Sequence, residues 1–409
     1  LIRRVYDGCS RLGITAELGI TAELGIWVCY LLDYLLKLTQ QVFFQGIPYA
    51  SNMSHIAGVH GVLAAHRYPQ EVITAQFSKI VSPDGSKQGV IERIHQATGV
   101  EYRYLSLPLD SYQDLAGFGA TNDVFIKVGL ELGEEVISAA LKKAGVSAVD
   151  VDLIIFTSVT GIAVPSLDSR LIPILNLRPD IKRIPSFGLG CIAGATGIAR
   201  VHDFLLGNPN GVAILLSVEL CSLTVQRDDL SMANIVASGL FGDGAAAVVM
   251  VGDEKAKKLG ISGPRVIDSR SRVFEASTDS IGWDINDNGF QIVLSAEVPK
   301  MVESKLNADV TKFLQDHDLK KSDISHWIVH PGGPKVITAV SESLGITDPQ
   351  LDLTWKSLAT KGNLSSASIL HVLQDLFYEP ARSRPLAGEY GLMISMGPGF
   401  ATELVLVGW

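Results

Sequence analysis

Apolar positions along the chain switch between two periods, one suited to strands and one to helices. The run Ile56 to Leu63 predicts a first strand and Gln70 to Phe77 the start of a helix. A second helix is predicted around Arg93 to Gln96, ending before Gly99. A long one follows from Asn122 to Ala144, where Val136, Ile137, Ala140 and Leu141 recur at helical spacing and Gly145 supplies the stop. Val151 to Ser158 and Gly211 to Glu219 are short, strongly apolar runs of the kind that form strands buried on both faces. Between them lies a predicted helix from Leu167 to Leu175, and a Gly/Ala turn after Leu240 leads into a further strand ending at Val251. The second half repeats this grammar: a helix from Pro299 to Gln315, a strand Trp327 to Val329, a helix from Lys335, another opening near Asn363, and closing strands Leu392 to Ser395 and Thr402 to Val407. Such alternation predicts an α/β fold with a mostly parallel or mixed sheet, helices on its faces, and two similarly layered halves. The polar, lysine-rich stretch 252–263 is expected to be a hinge between them.

Residues 1–52 do not share the pattern. They hold a tandem repeat, Ile14 to Gly19 and again Ile20 to Gly25, and an apolar run from Ile26 to Leu38 broken by Asp33 and Lys37. That run falls short of the roughly 20 apolar residues needed to cross a bilayer, so no membrane span is expected. Phe43-Phe44-Gln45-Gly46 resembles the remnant of a protease tag, and Met53 opens the regular pattern. Residues 1–52 are therefore read as a leader outside the fold, with an amphipathic interfacial helix as the competing reading.

The 409 residues, 47% hydrophobic and 19% charged, suffice for one large α/β unit or two core-building ones. A formal net charge of -9 leaves no basic footprint for nucleic acid and argues against an anionic membrane surface as main partner. Cys9, Cys29, Cys191 and Cys221 show neither CxxC spacing nor a Cys/His cluster, which points away from a disulfide framework or zinc site and toward a reducing, cytoplasmic setting.

The candidate chemistry centres on Phe187-Gly188-Leu189-Gly190-Cys191, followed by the small-residue run Ile192 to Arg200. Glycines before a thiol permit a sharp turn, and a helix starting there would place Cys191 at its N-terminus, where the dipole lowers a thiol pKa. Alone, Cys191 reads more readily as a small packing residue. His330 directly follows an apolar strand and precedes Pro331-Gly332-Gly333, a position suited to catalysis, whereas His95, His202, His317, His326 and His371 read as structural. Asn363 opens a predicted helix and alone would be an N-cap. Together, a thiol nucleophile, an imidazole and an amide N–H form a set for acyl transfer from a thioester, and the two donors could also stabilise an enolate left by malonyl decarboxylation.

Five stretches in order, Gly188-Leu189-Gly190-Cys191, Phe241-Gly242-Asp243-Gly244, Val329-His330-Pro331-Gly332-Gly333-Pro334, Gly362-Asn363-Leu364-Ser365-Ser366 and Gly397-Pro398-Gly399-Phe400, resemble the type III polyketide synthases, the chalcone-synthase-like family, from about Met53 to Trp409. The resemblance implies a thiolase-type five-layer αβαβα homodimer, with one half (53–260) carrying Cys191 and the other (261–409) carrying His330 and Asn363. It further implies Cys191 as the acyl-carrying nucleophile, His330 and Asn363 as the decarboxylation and oxyanion pair, and Phe241 as an aromatic gate. The family's second gate Phe corresponds to Ile292. Thr160, Val164, Cys221 and Thr224 are expected to line the cavity, and Arg93 is the counterpart of one CoA-phosphate-gripping residue. Acyl-CoA and malonyl-CoA are the implied substrates, with no further cofactor and no metal. The expected reaction is iterative condensation of malonyl-CoA onto an acyl starter, medium or long, giving an alkylpyrone or resorcinol-type product. A malonyl-primed, naphthalene-type synthase is the alternative. A single-condensation ketoacyl synthase III shares Cys, His and Asn but usually has His-Gln-Ala-Asn where this chain has His330-Pro331-Gly332-Gly333. A thioester hydrolase and a non-catalytic scaffold complete the rivals.

Overall fold

The computed structural model describes residues 53–379 and 384–409, so the expected leader (1–52), with Cys9 and Cys29, lies outside the described residues. The elements of the first half are β1 (Ser54–Leu63), β2 (His66–Pro69), α1 (Gln70–Val81), α2 (Gln88–Ala97), β3 (Tyr102–Leu105), α3 (Gly117–Ala144), β4 (Leu153–Thr157), α4 (Leu167–Ile174), β5 (Lys182–Ser186), α5 (Ala193–Leu206), β6 (Val212–Leu220), α6 (Met232–Leu240), β7 (Asp243–Gly252) and α7 (Asp253–Leu259). Those of the second are β8 (Arg265–Val273), β9 (Ile281–Asn286), β10 (Gly289–Leu294), α8 (Val298–Gln315), β11 (Ile324–Val329), α9 (Pro334–Leu344), α10 (Asp352–Lys361), α11 (Ser368–Tyr378), β12 (Tyr390–Gly397) and β13 (Ala401–Gly408).

Nine strands hydrogen-bond in the order β11-β12-β13-β8-β1-β7-β6-β4-β5. The joint at β8 and β1 is narrow, pairing Ser54 with Val266 and His55 with Arg265. On either side the topology repeats. Beside β1, strands β7 and β6 are antiparallel and β6 and β4 parallel; beside β8, strands β13 and β12 are antiparallel and β12 and β11 parallel. Where the first half places α4 and β5 before α5, the second places α9 and α10 before α11. The starts of α5 and α11, which follow Cys191 and Asn363, are therefore equivalent points of the repeat. By the same count His330, after β11, corresponds to Ser158, after β4.

Strand alternation sorts side chains into layers. Ile155, Leu215 and Val248 of one half and Ile328, Met393 and Val405 of the other pack on α5 and α11, which lie between the two halves of the sheet. Their neighbours Ile154, Ile214 and Val249 face α3 and α4, while Trp327, Leu392 and Leu404 face α8 and α9. The result is the expected five-layer αβαβα order, and burial on both faces explains why these strands read as continuous apolar runs. The expected hinge is corrected: 252–263 contains α7, with Asp253 and Glu254 in its first turn and Lys257 and Lys258 in its last, charges that complement the helix dipole. Helix α6 and the β9/β10 hairpin did not show in the pattern.

Candidate active site

Three turns deliver the site. Before α5, Gly190 adopts φ +58° and Pro398 packs so closely that a Cβ on Gly190 would meet its Cδ at 2.6 Å, so the elbow before Cys191 takes glycine alone. The Cys191 thiol bonds to Ser365 Oγ at 3.7 Å. Before α11, Asn363 Oδ1 accepts from Ser365 N at 2.8 Å and from Ser368 Oγ at 3.3 Å, the capping role its position suggests. With Oδ1 occupied, the amide's remaining group toward Cys191, with which Asn363 also hydrogen-bonds, is the Nδ2 donor. Ser365 sits at φ +48°, a strained backbone of the kind that collects at functional sites.

His330 follows β11, where its N–H donates to Ile394 O at 2.9 Å. Its ring is buried, and neither ring nitrogen has a partner among the described residues. Strand β12 links it to the elbow: three residues beyond Ile394, Gly397 abuts the backbone N of Cys191, 3.3 Å from a Cβ built there. Cys191, Asn363 and Ser365 thus meet directly, with His330 at the end of the adjoining strand. The other histidines are engaged structurally: His95 with Thr74 and Ser238, His202 with Ser54, His317 with Asp268, His326 with Glu389 and His371 with Ala245 O.

The charge state differs from the expectation. Burial pushes the Cys191 thiol up to about 12, and the nearby Glu219 adds to this, while the Ser365 and Asn363 bonds pull it down. Burial likewise brings His330 down to about 3. Removing either charge from water costs more than the helix N-terminus returns, so the resting site holds a neutral thiol and a neutral imidazole.

Cys191 opens on a largely apolar cavity of about 320 Å³, which Thr160, Cys221, Thr224, Phe241, Ile292 and Ser365 also line. Phe241 is tied to the catalytic loop, since Gly242 N donates to Asn363 O and Asn363 N to Leu240 O, both at 2.9 Å. Two expected site residues lie elsewhere. Val164 is 91% exposed on this chain and absent from the cavity wall, because its loop runs over the surface. Arg93 is on the exposed face of α2, donating to Gly89 O, and is not on the cavity wall either.

Trp283 on the cavity wall and the buried Glu219 behind it went unread in the sequence. Trp283, whose Nε1 donates to Val159 O at 2.8 Å, comes from the β9/β10 hairpin, which Asn288-Gly289 between alternating runs would have signalled. Glu219, fully buried at the end of β6, accepts from Ser366 Oγ (2.5 Å), Thr160 Oγ1 (3.0 Å) and Val159 N (3.1 Å), and burial raises its carboxyl to about 7. It joins the loops carrying Thr160 and Asn363. Among the described residues no group of three His, Cys, Asp or Glu is placed to hold a metal ion.

Residues 58–254 match the family model for the N-terminal domain of chalcone and stilbene synthases, and residues 267–408 match that for the C-terminal domain. A 1,3,6,8-tetrahydroxynaphthalene synthase of Streptomyces peucetius subsp. caesius is 46% identical over 354 residues, covering 87% of this chain and 93% of that one. The solved 1,3,6,8-tetrahydroxynaphthalene synthase of Streptomyces coelicolor A3(2), a bacterial type III polyketide synthase, superposes with a TM-score of 0.80 at 30% identity, over 87% of this chain and 99% of that chain. PKS-I of the brown alga Ectocarpus siliculosus gives 0.80 at 26% identity, over 87% and 98%.

Proposed function

The chain belongs to the chalcone and stilbene synthase family, the type III polyketide synthases, and we propose that it is a malonyl-primed synthase that makes a naphthalene-type aromatic polyketide. As a member it is a decarboxylating condensing acyltransferase working on CoA thioesters without a further cofactor. The observation that carries the finer reading is the 46% identity to a synthase of 1,3,6,8-tetrahydroxynaphthalene across nearly the whole fold. The alkylpyrone or resorcinol reading with a medium or long acyl starter, which leaned on Thr160 and Cys221 in place of bulkier lining residues, is less well supported, because the 46% identical relative is a synthase of 1,3,6,8-tetrahydroxynaphthalene.

In the proposed mechanism one half (53–260) supplies Cys191 and the other (261–409) supplies His330 and Asn363. Neither a lone thiolate nor a lone imidazolium is favoured in this interior, so the thiol proton passes to His330 as Sγ attacks the thioester, creating both charges together. Asn363 Nδ2–H and the imidazolium N–H then hold the developing oxyanion, and CoA leaves as its thiol. A malonyl-CoA entering past Phe241 loses carbon dioxide, Asn363 and the His330 N–H hold the enolate oxygen, and its carbon attacks the Cys191 thioester. The Cys191 S–C bond breaks, the sulfur takes up a proton, and the chain, two carbons longer, is left on CoA. Return of that chain to Cys191 by the same loading exchange, and repetition, lengthen it until it cyclises within the cavity. Arg93, exposed on α2, is proposed to meet the CoA phosphate outside the cavity. Free Cys191 suits a reducing compartment such as the cytoplasm.

A homodimer is also proposed. Strand β5 ends the nine-stranded sheet with an exposed edge, and Ile184, Phe187, Ile162 and Val164 leave apolar surface around it. Sedimentation at a monomer mass would dismiss that assembly.

The deciding test supplies malonyl-CoA alone and reads products by mass spectrometry. A pentaketide-sized aromatic product is expected. A product only when an acyl-CoA starter is added would move the assignment to the pyrone or resorcinol class. A single extension would indicate ketoacyl synthase chemistry, and free acid without extension a hydrolase.

A further inference from the structure

Glu403, on β13, is 1% exposed and lies off the cavity wall. Its Oε2 accepts from Ser271 Oγ of β8 at 2.6 Å and from Thr196 Oγ1 of α5 at 3.1 Å. Its Oε1 has no partner among the described residues, and neither has Ser395 Oγ on β12, which the strand register sets opposite Glu403. Burial raises the carboxyl, the mark of an acid taken from water at a cost. An apolar side chain would fill the position without that cost, so the acid is held there for its bonds.

Those bonds reach the helix that follows Cys191. Helix α5 packs through Gly194, Ala195, Gly197, Ile198 and Ala199, a smooth surface whose apolar contacts are non-directional. Two side-chain bonds add direction. His202 Nδ1 bonds with Ser54 Oγ of β1 at 2.8 Å near the far end of α5, and Thr196, five residues after Cys191, ties the near end to Glu403. The first anchor lies in the half that carries Cys191, the second in the half that carries His330 and Asn363. The strand face that holds Ser395 and Glu403 also meets the elbow: on β12, two residues beyond Ser395, a Cβ built on Gly397 would lie 3.0 Å from Ile192 N and 3.3 Å from Cys191 N.

We propose that Glu403 is a positioning residue for acyl transfer: through Thr196 it sets where the start of α5, and with it Cys191, stands against Ser365 and Asn363. The proposal rests on the reading of Cys191 as the nucleophile. Glu403 touches neither thiol nor substrate and acts through the helix alone. Its other donor, Ser271, belongs to β8, whose place is already fixed by the backbone ladder to β13. The two hydroxyls on one carboxylate therefore separate positioning of the helix from support of the sheet.

The test compares Thr196→Val with Ser271→Ala, each of which removes one hydroxyl and leaves the carboxylate its other donor. Acylation of Cys191 from malonyl-CoA and from hexanoyl-CoA is followed by intact mass over a range of concentrations, and urea unfolding shows what each change costs the fold. Thr196→Val is expected to lower the limiting acylation rate about tenfold with half-saturation within about threefold, while Ser271→Ala keeps the limiting rate within about threefold. Glu403→Gln keeps an acceptor for both hydroxyls and offers an N–H to Ser395, so it should acylate within about threefold of wild type, whereas Glu403→Leu should fall at least as far as Thr196→Val. Should Glu403→Leu not fold, the hydroxyl pair decides. An unchanged limiting rate in Thr196→Val, equal rate losses in the two hydroxyl variants, or a Glu403→Gln as slow as Thr196→Val would overturn the proposal. Crystal structures of the hydroxyl variants give a readout without chemistry. The Cys191 Sγ to Ser365 Oγ distance, 3.7 Å here, is expected to change by about 0.5 Å in Thr196→Val and to hold in Ser271→Ala. If neither thioester acylates Cys191 in wild type, the nucleophile assignment fails and that distance still judges Glu403: no change in Thr196→Val would overturn its role.

Discussion

Gly194→Ala is the substitution that bears most directly on how the site is held together. Gly194 lies in the first turn of α5, three residues after Cys191, where a Cβ would lie 2.3 Å from Ser366 O and 2.7 Å from Ile369 Cγ2. Ordinary contact begins near 3.4 Å, so the added methyl must part α5 from the start of α11 by about 1 Å. The obstacle is backbone and cannot rotate away. Overpacking of this kind costs about 1–3 kcal/mol, and the parting acts between the loops carrying Cys191 and Asn363, where a 1 Å error costs roughly 100-fold in rate. Gly197→Ala is the control: its Cβ would meet Leu215 Cδ1 at 2.3 Å, the end of a side chain in the interior core. Urea unfolding gives the stability of both variants, and the rate of Cys191 acylation from an acyl-CoA gives the geometry. The expected outcome is a similar or smaller stability loss for Gly197→Ala with less than about tenfold loss of rate, against roughly 100-fold for Gly194→Ala. Equal rate losses in the two variants, or wild-type acylation in Gly194→Ala, would show that the contact between α5 and Ser366 does not set the site.

Glu219→Gln should speed alkylation of Cys191 by iodoacetamide at pH 8, because it removes a buried carboxylate that opposes the thiolate. It should also gain stability over wild type as pH rises: the carboxyl titrates from an ordinary 4.5 to about 7 on folding, so between those values the unfolded chain ionises first and wild-type stability falls, by about 3 kcal/mol in the limit. A pH-independent stability difference would mean that Glu219 is ionised in the folded protein. Cys221→Phe should shorten or abolish the polyketide while leaving acyl loading on Cys191 within about tenfold, since Cys221 lines the cavity without bonding to the thiol. A full-length product in unchanged yield would remove Cys221 from the growing chain's path.

Much of the layered fold was legible because strands buried on both faces must be apolar throughout, as in Val212 to Leu220, while their helices carry one apolar stripe. Cys191, His330 and Asn363 stood out as candidates because each lies beside a Gly- or Pro-containing turn at the end of an element. The repeat's true correspondence was not legible, because the match of Cys191 to Asn363 depends on strand order in the sheet. Stretch 252–263 looked like a hinge because a two-turn helix burying only Ala256 has little apolar signal. The expected thiolate failed for a related reason: the helix N-terminus is a local feature, whereas the burial that raises Cys191 comes from both halves. Glu219 and Glu403 escaped altogether. Each is an acid in an otherwise unremarkable strand, and its meaning lies in partners such as Ser366 or Thr196 that are more than a hundred residues away.

The most direct measurement quenches the protein during turnover with malonyl-CoA and maps the acylated peptides by mass spectrometry. The expected result is a ladder of ketide adducts on Cys191, absent from Cys191→Ala. Adducts on Cys221 instead, or a single unextended adduct on Cys191, would contradict the assignment of this cavity to iterative condensation.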